Sequence, residues 1–292
     1  MDSEVLPLDQ LDAAAIIARI AAADALVPAA VAAEAESIAA LAECAAKRIA
    51  GGGRLIYVGA GTSGRLGALD AAECPPTFGV PPGVVVALIA GGSDALRVAV
   101  EAAEDDAAQG AADLTACAVG PDDVVLGIAA SGTTPYVLGA LAAARAAGAV
   151  VAALTCVPRS PLAEAATIAI VPDVGPEVVR GSTRLKAGTA QKLVLNMLST
   201  TVFVLLGRVY ADLMIDVQPT NEKLRRRAAA IVAQIAGIDE QRAAELLHQS
   251  DLRIRPAVLM AVYGYDRAAA EQALAAAGGD LRRALAERRR LP

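Results

Sequence analysis

The sequence predicts an α/β fold: a doubly wound, five-stranded parallel sheet preceded by N-terminal helices and followed by a small C-terminal helical bundle. Three observations predict it. From Arg54 onward, short apolar runs of strand length alternate with helical stretches, the pattern of a parallel sheet with helical crossovers. Before residue 51 and after residue 220 such runs are missing, and the periodicity is helical. The net charge of −6 is also unevenly divided, with 13 basic and 23 acidic residues in 1–220 against 13 and 9 in 221–292. The expected organisation is therefore a helical segment at 1–50, the sheet domain at 51–220 and a helical domain at 221–292.

The elements follow in order. Ala-rich periodic runs from Leu11 to Ala23 and from Ala29 to Ala50 read as two helices, with Pro28 suited to the first turn of the second and Gly51-Gly52-Gly53 stopping it. Strands are expected at Leu55 to Val58, Val84 to Ile89, Asp123 to Ile128, Val150 to Leu154 and Thr167 to Ile170. Helices are expected at Ser63 to Cys74, Asp94 to Gln109, Pro135 to Ala147 and, after the last strand, Leu185 to Leu206. Beyond Asn221, breaks at Gly237, Pro256, Gly264 and Gly278-Gly279 suggest three or four short helices. The runs Arg225-Arg226-Arg227 and Arg288-Arg289-Arg290 have no interleaved aromatics and read as solvated helix faces.

Composition excludes several classes of chemistry. About a quarter of the 292 residues are Ala, yet the best apolar stretch, Gly139 to Cys156, is interrupted by Arg145 and Gly148, so no membrane span is expected. The acidic N-terminus does not resemble a secretion signal. Cys44, Cys74, Cys117 and Cys156 form no C-x-x-C pair, which suits a reducing cytoplasm and argues against a zinc module. With two Phe, five Tyr and no Trp, base stacking on nucleic acid is a poor expectation. The single histidine, His248, sits in the helical tail, so acid–base chemistry must fall to other groups.

The most informative loop is Gly59-Ala60-Gly61-Thr62-Ser63-Gly64, directly after the first strand and opening a helix. It matches the G-x-G-x-x-G dinucleotide fingerprint, but the second strand ends in Ala90-Gly91-Gly92 instead of the acid that would hold a ribose. Thr62 and Ser63 instead offer hydroxyls at a helix N-terminus, where free amides and the macrodipole favour an anion. Ser131-Gly132-Thr133-Thr134-Pro135 repeats the arrangement after the third strand. Gly181-Ser182-Thr183-Arg184 supplies a third polar loop before a helix carrying Lys186 and Lys192. Gly61, Thr62, Ser63, Ser131, Gly132, Thr133, Ser182 and Lys186 are the candidate ligand-binding residues, and the ligand they suit is small, polar and monophosphorylated.

The run Tyr57–Gly67 continues through Leu69-Asp70-Ala71-Ala72-Glu73-Cys74-Pro75-Pro76-Thr77-Phe78-Gly79. With Ala99–Asp106 and Gly181–Lys192, these residues resemble the N-acetylmuramic acid 6-phosphate etherases, bacterial enzymes of the sugar isomerase (SIS) superfamily. The likeness extends over nearly the whole chain, including a helical end likened to a ubiquitin-associated bundle. Arg180, Thr133 and Ala211 stand where that family usually has Thr, Arg and Asn.

The resemblance implies cleavage of the ether joining D-lactate to carbon 3 of the phosphosugar in cell-wall recycling, by elimination and then hydration, with no cofactor or metal. Its catalytic pair maps onto Glu73, the proton donor, and Glu104, the other carboxylate. Read alone, each looks like an ordinary surface glutamate. Glu73 is expected to end its helix at Pro75-Pro76, where the dipole disfavours a carboxylate and so suits an acid catalyst. Glu101 and Glu104 share one face if that segment is helical. Ten helical residues, about 15 Å, separate Ser63 from Glu73, which suggests a homodimer whose site is shared between subunits. Cys74 is expected to be inert packing. A non-catalytic phosphosugar sensor and an aldose-ketose isomerase are the alternatives, distinguished by whether lactate is released.

Overall fold

The computed structural model describes residues 6–287, and the Arg288-Arg289-Arg290 run lies outside the described residues. Two compact units divide the chain: one holds the residues up to Ala71 together with Gly83–Ser199, the other Ala72–Pro82 together with the residues from Thr200 on.

In the first unit, α1 (Ala13–Asp24) starts at Asp12, whose carboxylate accepts the Ala15 amide at 2.8 Å. The single helix expected from Ala29 is two, α2 (Val27–Ala32) and α3 (Ala35–Ala50). α3 buries Ile38, Leu41, Ala42, Ala45 and Ala46, the 3.6-residue stripe of an amphipathic helix, against the sheet. The expectation that no stretch has the length and apolarity of a span needs correction. Ala13–Ala32, with mean hydropathy 1.8, passes that test by length and composition, although Arg19 and Asp24 interrupt it.

The sheet is β1 (Leu55–Gly59), β2 (Val85–Ile89), β3 (Val124–Ile128), β4 (Val150–Leu154) and β5 (Ile168–Ile170), all parallel, in the order β2-β1-β3-β4-β5. Every residue of β1 and β3 is buried, as helices on both faces require. The connections are α4 (Gly61–Phe78), α5 (Ala107–Ala116), α6 (Pro135–Ala146) and α7 (Pro161–Ala165), with α8 (Lys186–Leu205) following β5. Because the order reverses between β1 and β3, the crevice of this architecture opens at their carboxyl ends.

Two expectations fail here for identifiable reasons. α4 does not stop at Pro75-Pro76 but runs on to Phe78. Proline's fixed φ suits a helix, and what is lost is two amides that would have served the carbonyls of Ala71 and Ala72. The helix expected from Asp94 to Gln109 does not form. Two short 3-10 turns, Gly92–Leu96 and Ala103–Asp105, replace it, and Ala102 between them lies in the left-handed region at φ 59°. Glu101 and Glu104 therefore do not share a helix face.

The second unit carries a hairpin, β6 (Val209–Tyr210) and β7 (Leu213–Met214), that the sequence reading lacked. Ala211 at its tip has φ 55°, a conformation that accommodates Asn better than Ala. Among the described residues five helices follow, where three or four were expected: α9 (Glu222–Ala236), α10 (Glu240–Gln249), α11 (Ile254–Tyr263), α12 (Arg267–Ala276) and α13 (Leu281–Glu287). Pro256 does not break the chain because it sits in the first turn of α11, where its missing amide would have been an orphan. Leu246, Leu247, Val258, Leu259, Leu274 and Leu281 close a core of their own.

Candidate active site

A cavity of about 460 Å³ lies at the carboxyl ends of β1 and β3. It is lined from three loops: Ala60 to Ser63 after β1, Ser131 and Thr133 to Pro135 after β3, and Gly181 to Arg184 before α8. Glu104 and Asp105 complete it.

The loop after β1 owes its shape to close packing as much as to ligand chemistry. A Cβ on Gly59 would stand 2.7 Å from the Gly64 amide nitrogen, and one on Gly64 would stand 2.5 Å from Ile89. No side chain fits between strand and helix, so α4 begins hard against the sheet edge. Gly61, at φ 52°, has open space around it and turns the chain into the helix. The first internal bond of α4 runs from the Gly64 amide to the Ala60 carbonyl at 3.2 Å, which leaves the amides before Gly64 without an intrahelical acceptor. α6 is similar. Its N-cap, Thr134, makes no side-chain capping bond, and Thr133 turns instead to Ser131, with its hydroxyl 3.1 Å from the Ser131 hydroxyl. Two helix starts thus present amides and hydroxyls to one cavity.

The start of α8 differs. Both oxygens of Glu177 accept its first amides, Lys186 and Ala187, at 3.0 Å each, so this terminus is already occupied by a carboxylate. Lys186 is buried and its ammonium donates to the Val174 carbonyl at 2.5 Å. It therefore braces the loop before α8 and does not line the cavity. Gly132 is also set back, because a Cβ there would meet the Ser160 hydroxyl at 2.1 Å.

Of the sequence-predicted residues, the structure brings together Gly61, Thr62, Ser63, Ser131, Thr133, Ser182 and Glu104 as lining. Glu73 is not among them. It lies exposed on α4, five residues before the helix ends, so the helix-terminus argument made for it does not hold. Cys74 is buried, and His248 is exposed on α10. Sequence reasoning quoted Thr134 and Arg184 within their loops without naming them as ligand residues, and it missed Asp105 as lining and one residue behind the wall, Gln191. Ser63 donates to the Gln191 side-chain carbonyl at 2.9 Å, while the Gln191 amide nitrogen is buried without a partner. Only the shared run Gly181–Lys192 hinted at Gln191. Among the described residues Arg184 is the one cation lining this cavity, so hydroxyls and amides must carry most of any anion's binding.

Fold and cavity together define a phosphosugar-binding protein of the SIS class. The SIS domain family matches residues 98–201, and the N-terminal SIS domain of glucokinase regulatory protein matches residues 35–145. N-acetylmuramic acid 6-phosphate etherases of Salmonella typhi and Salmonella typhimurium are each 52% identical over 282 residues, 97% of this chain and 95% of theirs. A phosphoheptose isomerase from Francisella tularensis superposes with a TM-score of 0.49 at 17% identity, over 66% of this chain and 100% of that one. The chain belongs to the N-acetylmuramic acid 6-phosphate etherase family, and it is an enzyme that cleaves a carbon–oxygen ether bond.

Proposed function

We propose that the cavity holds N-acetylmuramic acid 6-phosphate and that Glu104 works on it there as the base of an elimination. The phosphate is received by the hydroxyls of Thr62, Ser131, Thr133 and Ser182 and by the first-turn amides of α4 and α6, with the Ser63 hydroxyl held by Gln191 in the wall behind them. With the sugar open, its aldehyde acidifies the proton on carbon 2, and Glu104 removes it. The bond from carbon 3 to the lactyl oxygen breaks, and that oxygen leaves with a proton. Water then adds its hydroxyl at carbon 3 and a proton returns to carbon 2, giving N-acetylglucosamine 6-phosphate and D-lactate. A positioned carboxylate contributes roughly 10²- to 10⁴-fold to such a proton transfer.

One observation carries this reading: the three hydroxyl loops and Glu104 line a single cavity. Glu73 is assigned as the acid for the departing lactate. Since it does not line the cavity of its own chain, we assign it to the site of a second copy, in a homodimer. The free thiols of Cys44, Cys74, Cys117 and Cys156 fit a reducing cytoplasm.

Incubation with N-acetylmuramic acid 6-phosphate and assay of D-lactate tests the reaction. Stoichiometric lactate with one solvent deuterium on carbon 2 is expected, and lactate without deuterium would rule out the elimination. Mixing Glu73→Gln with Glu104→Gln chains tests the shared site. Recovery of activity in the mixture is expected, and fully active monomers in sedimentation would rule sharing out.

A further inference from the structure

A second, smaller cavity of about 200 Å³ adjoins the first and shares Ala60, Gly61 and Glu104 with it. Its wall is unlike that of its neighbour. Ala90, Ala95, Ala99, Val100 and Ala103 make it apolar, and the charged groups are Arg65 from α4 and the carboxylates Glu101 and Glu104. The wall is held by packing: a Cβ on Gly91 would stand 2.8 Å from Val100, so Val100 rests directly on the Gly91 backbone. Arg65 is half-buried, and no hydrogen bond or ion pair engages it among the described residues. Arg54, by contrast, spends its guanidinium on Asp123 and two carbonyls.

We propose that this recess receives the lactyl group, with Arg65 pairing its carboxylate and the alanines seating its methyl. The inference rests on the etherase reading above and names the part of the substrate that reading left unplaced. If Glu104 draws the proton from carbon 2, then the substituents on carbons 2 and 3 lie beside the wall that the two cavities share. Of these two, the acetamido group is neutral. The lactyl group is the one whose charge a guanidinium would select, and the planar fork of arginine matches a carboxylate in two parallel hydrogen bonds. The volume is about that of six or seven liquid waters, enough for a group of six heavy atoms. Glu101 and Glu104 would repel a carboxylate entering alone, so Arg65 decides whether the recess accepts an acid at all. When the bond to carbon 3 breaks, the same pairing holds the leaving group while its oxygen takes a proton.

The test compares the substrate with its lactamide analogue, in which the carboxylate is a carboxamide, on wild type, Arg65→Lys and Arg65→Ala. Turnover and calorimetric binding are both measured, with N-acetylglucosamine 6-phosphate as a ligand that lacks the lactyl group. Wild type should prefer the acid by about 10- to 100-fold, the range of a charge-assisted pair. Arg65→Lys should keep part of that preference and Arg65→Ala should lose it, while binding of N-acetylglucosamine 6-phosphate stays unchanged. An acid preference that survives in Arg65→Ala would overturn the proposal, as would a parallel loss of N-acetylglucosamine 6-phosphate binding. Absence of lactate release by wild type would instead defeat the etherase reading, and the acid-against-amide binding ratio would still decide the role of Arg65.

Discussion

The two edges of the parallel sheet are built on opposite principles. At the amino edge, Arg54 donates to Asp123 from its backbone amide at 2.9 Å, from Nε at 3.1 Å and from a terminal nitrogen at 2.7 Å. The same guanidinium reaches the carbonyls of Cys117 and Ala118 at 3.0 Å each, and Gly120 adds an amide to Asp123 at 3.0 Å. At the carboxyl edge the helix starts of α4 and α6 are left open, Ala102 is held in a left-handed conformation, and Arg65 and Glu104 stand unpaired among the described residues. One edge spends its polar groups on the fold and the other leaves them open toward the cavity, so substitutions at the two should separate stability from activity.

The largest expected effect is at the carboxyl edge. Glu104→Gln keeps the shape and removes the proposed base, so lactate release should fall by about 10²- to 10⁴-fold while the melting temperature and N-acetylglucosamine 6-phosphate binding hold. Unchanged turnover would remove Glu104 from the mechanism. Next comes Asp123→Ala at the amino edge, which leaves the half-buried Arg54 guanidinium without a counter-charge, held by two carbonyls. A loss of about 2 kcal/mol of unfolding free energy is expected, with kcat unchanged in the folded fraction. Burial pushes the Asp123 carboxyl up, but the hydrogen bonds from Arg54 and Gly120 outweigh it, so the folded value lies below the ordinary one. The sign follows. The stabilisation is present above the ordinary carboxylate range and is lost as pH falls through the lower folded value, and Asp123→Ala should flatten that acid limb.

The carboxyl edge was legible in the sequence to the extent that its chemistry is local. Gly61, Thr62, Ser63, Ser131 and Thr133 could be read because strand, turn and helix signals follow one another within a few residues. The strands were legible for the same reason, since a doubly buried strand is a continuous apolar run. Contacts between distant segments were not legible. Nothing near Lys186 says that Glu177 will take the first amides of α8, or that the Lys186 ammonium will turn to Val174. The segment from Asp94 to Gln109 failed for a related reason. Its composition favours helix, but Gly91 and Gly92 in the left-handed region and the seat of Val100 on Gly91 impose turns, and those turns carry Glu104 to the cavity. Tertiary packing overrode propensity in the segment that carries Glu104 to the cavity.

A smaller effect comes from making one edge resemble the other. Thr134 has the extended backbone of an N-cap, φ −60° and ψ 114°, without the capping bond. Thr134→Asp should close the start of α6 and stabilise the protein without ligand by about 1 kcal/mol. The same carboxylate would stand in the cavity, so phosphosugar affinity should fall by about tenfold or more, a factor of ten being 1.4 kcal/mol. Calorimetry and thermal melts on one sample measure both. A gain in stability with affinity intact would mean that the open start of α6 does not serve the ligand.

The smallest effect concerns a carboxylate that belongs to neither edge. Asp70 is buried on α4, accepting from the Tyr57 hydroxyl at 2.9 Å and the Ser199 hydroxyl at 3.0 Å. Burial raises its carboxyl above the ordinary range; the two hydroxyls and the more distant charge of Lys192 offset only part of this. For a raised carboxyl the linkage runs opposite to that of Asp123. The stabilising contribution is complete below the unfolded value and is lost as pH rises through the folded one, so once ionised Asp70 weighs against the fold. Asp70→Asn keeps an acceptor for one hydroxyl, donates its amide to the oxygen of the other, and removes the charge. Its melting temperature should exceed that of wild type at pH 8 and match it at pH 3. A lower melting temperature for Asp70→Asn at pH 8 would mean that the charge itself is needed, and that the interior between the two edges is held electrostatically as the amino edge is.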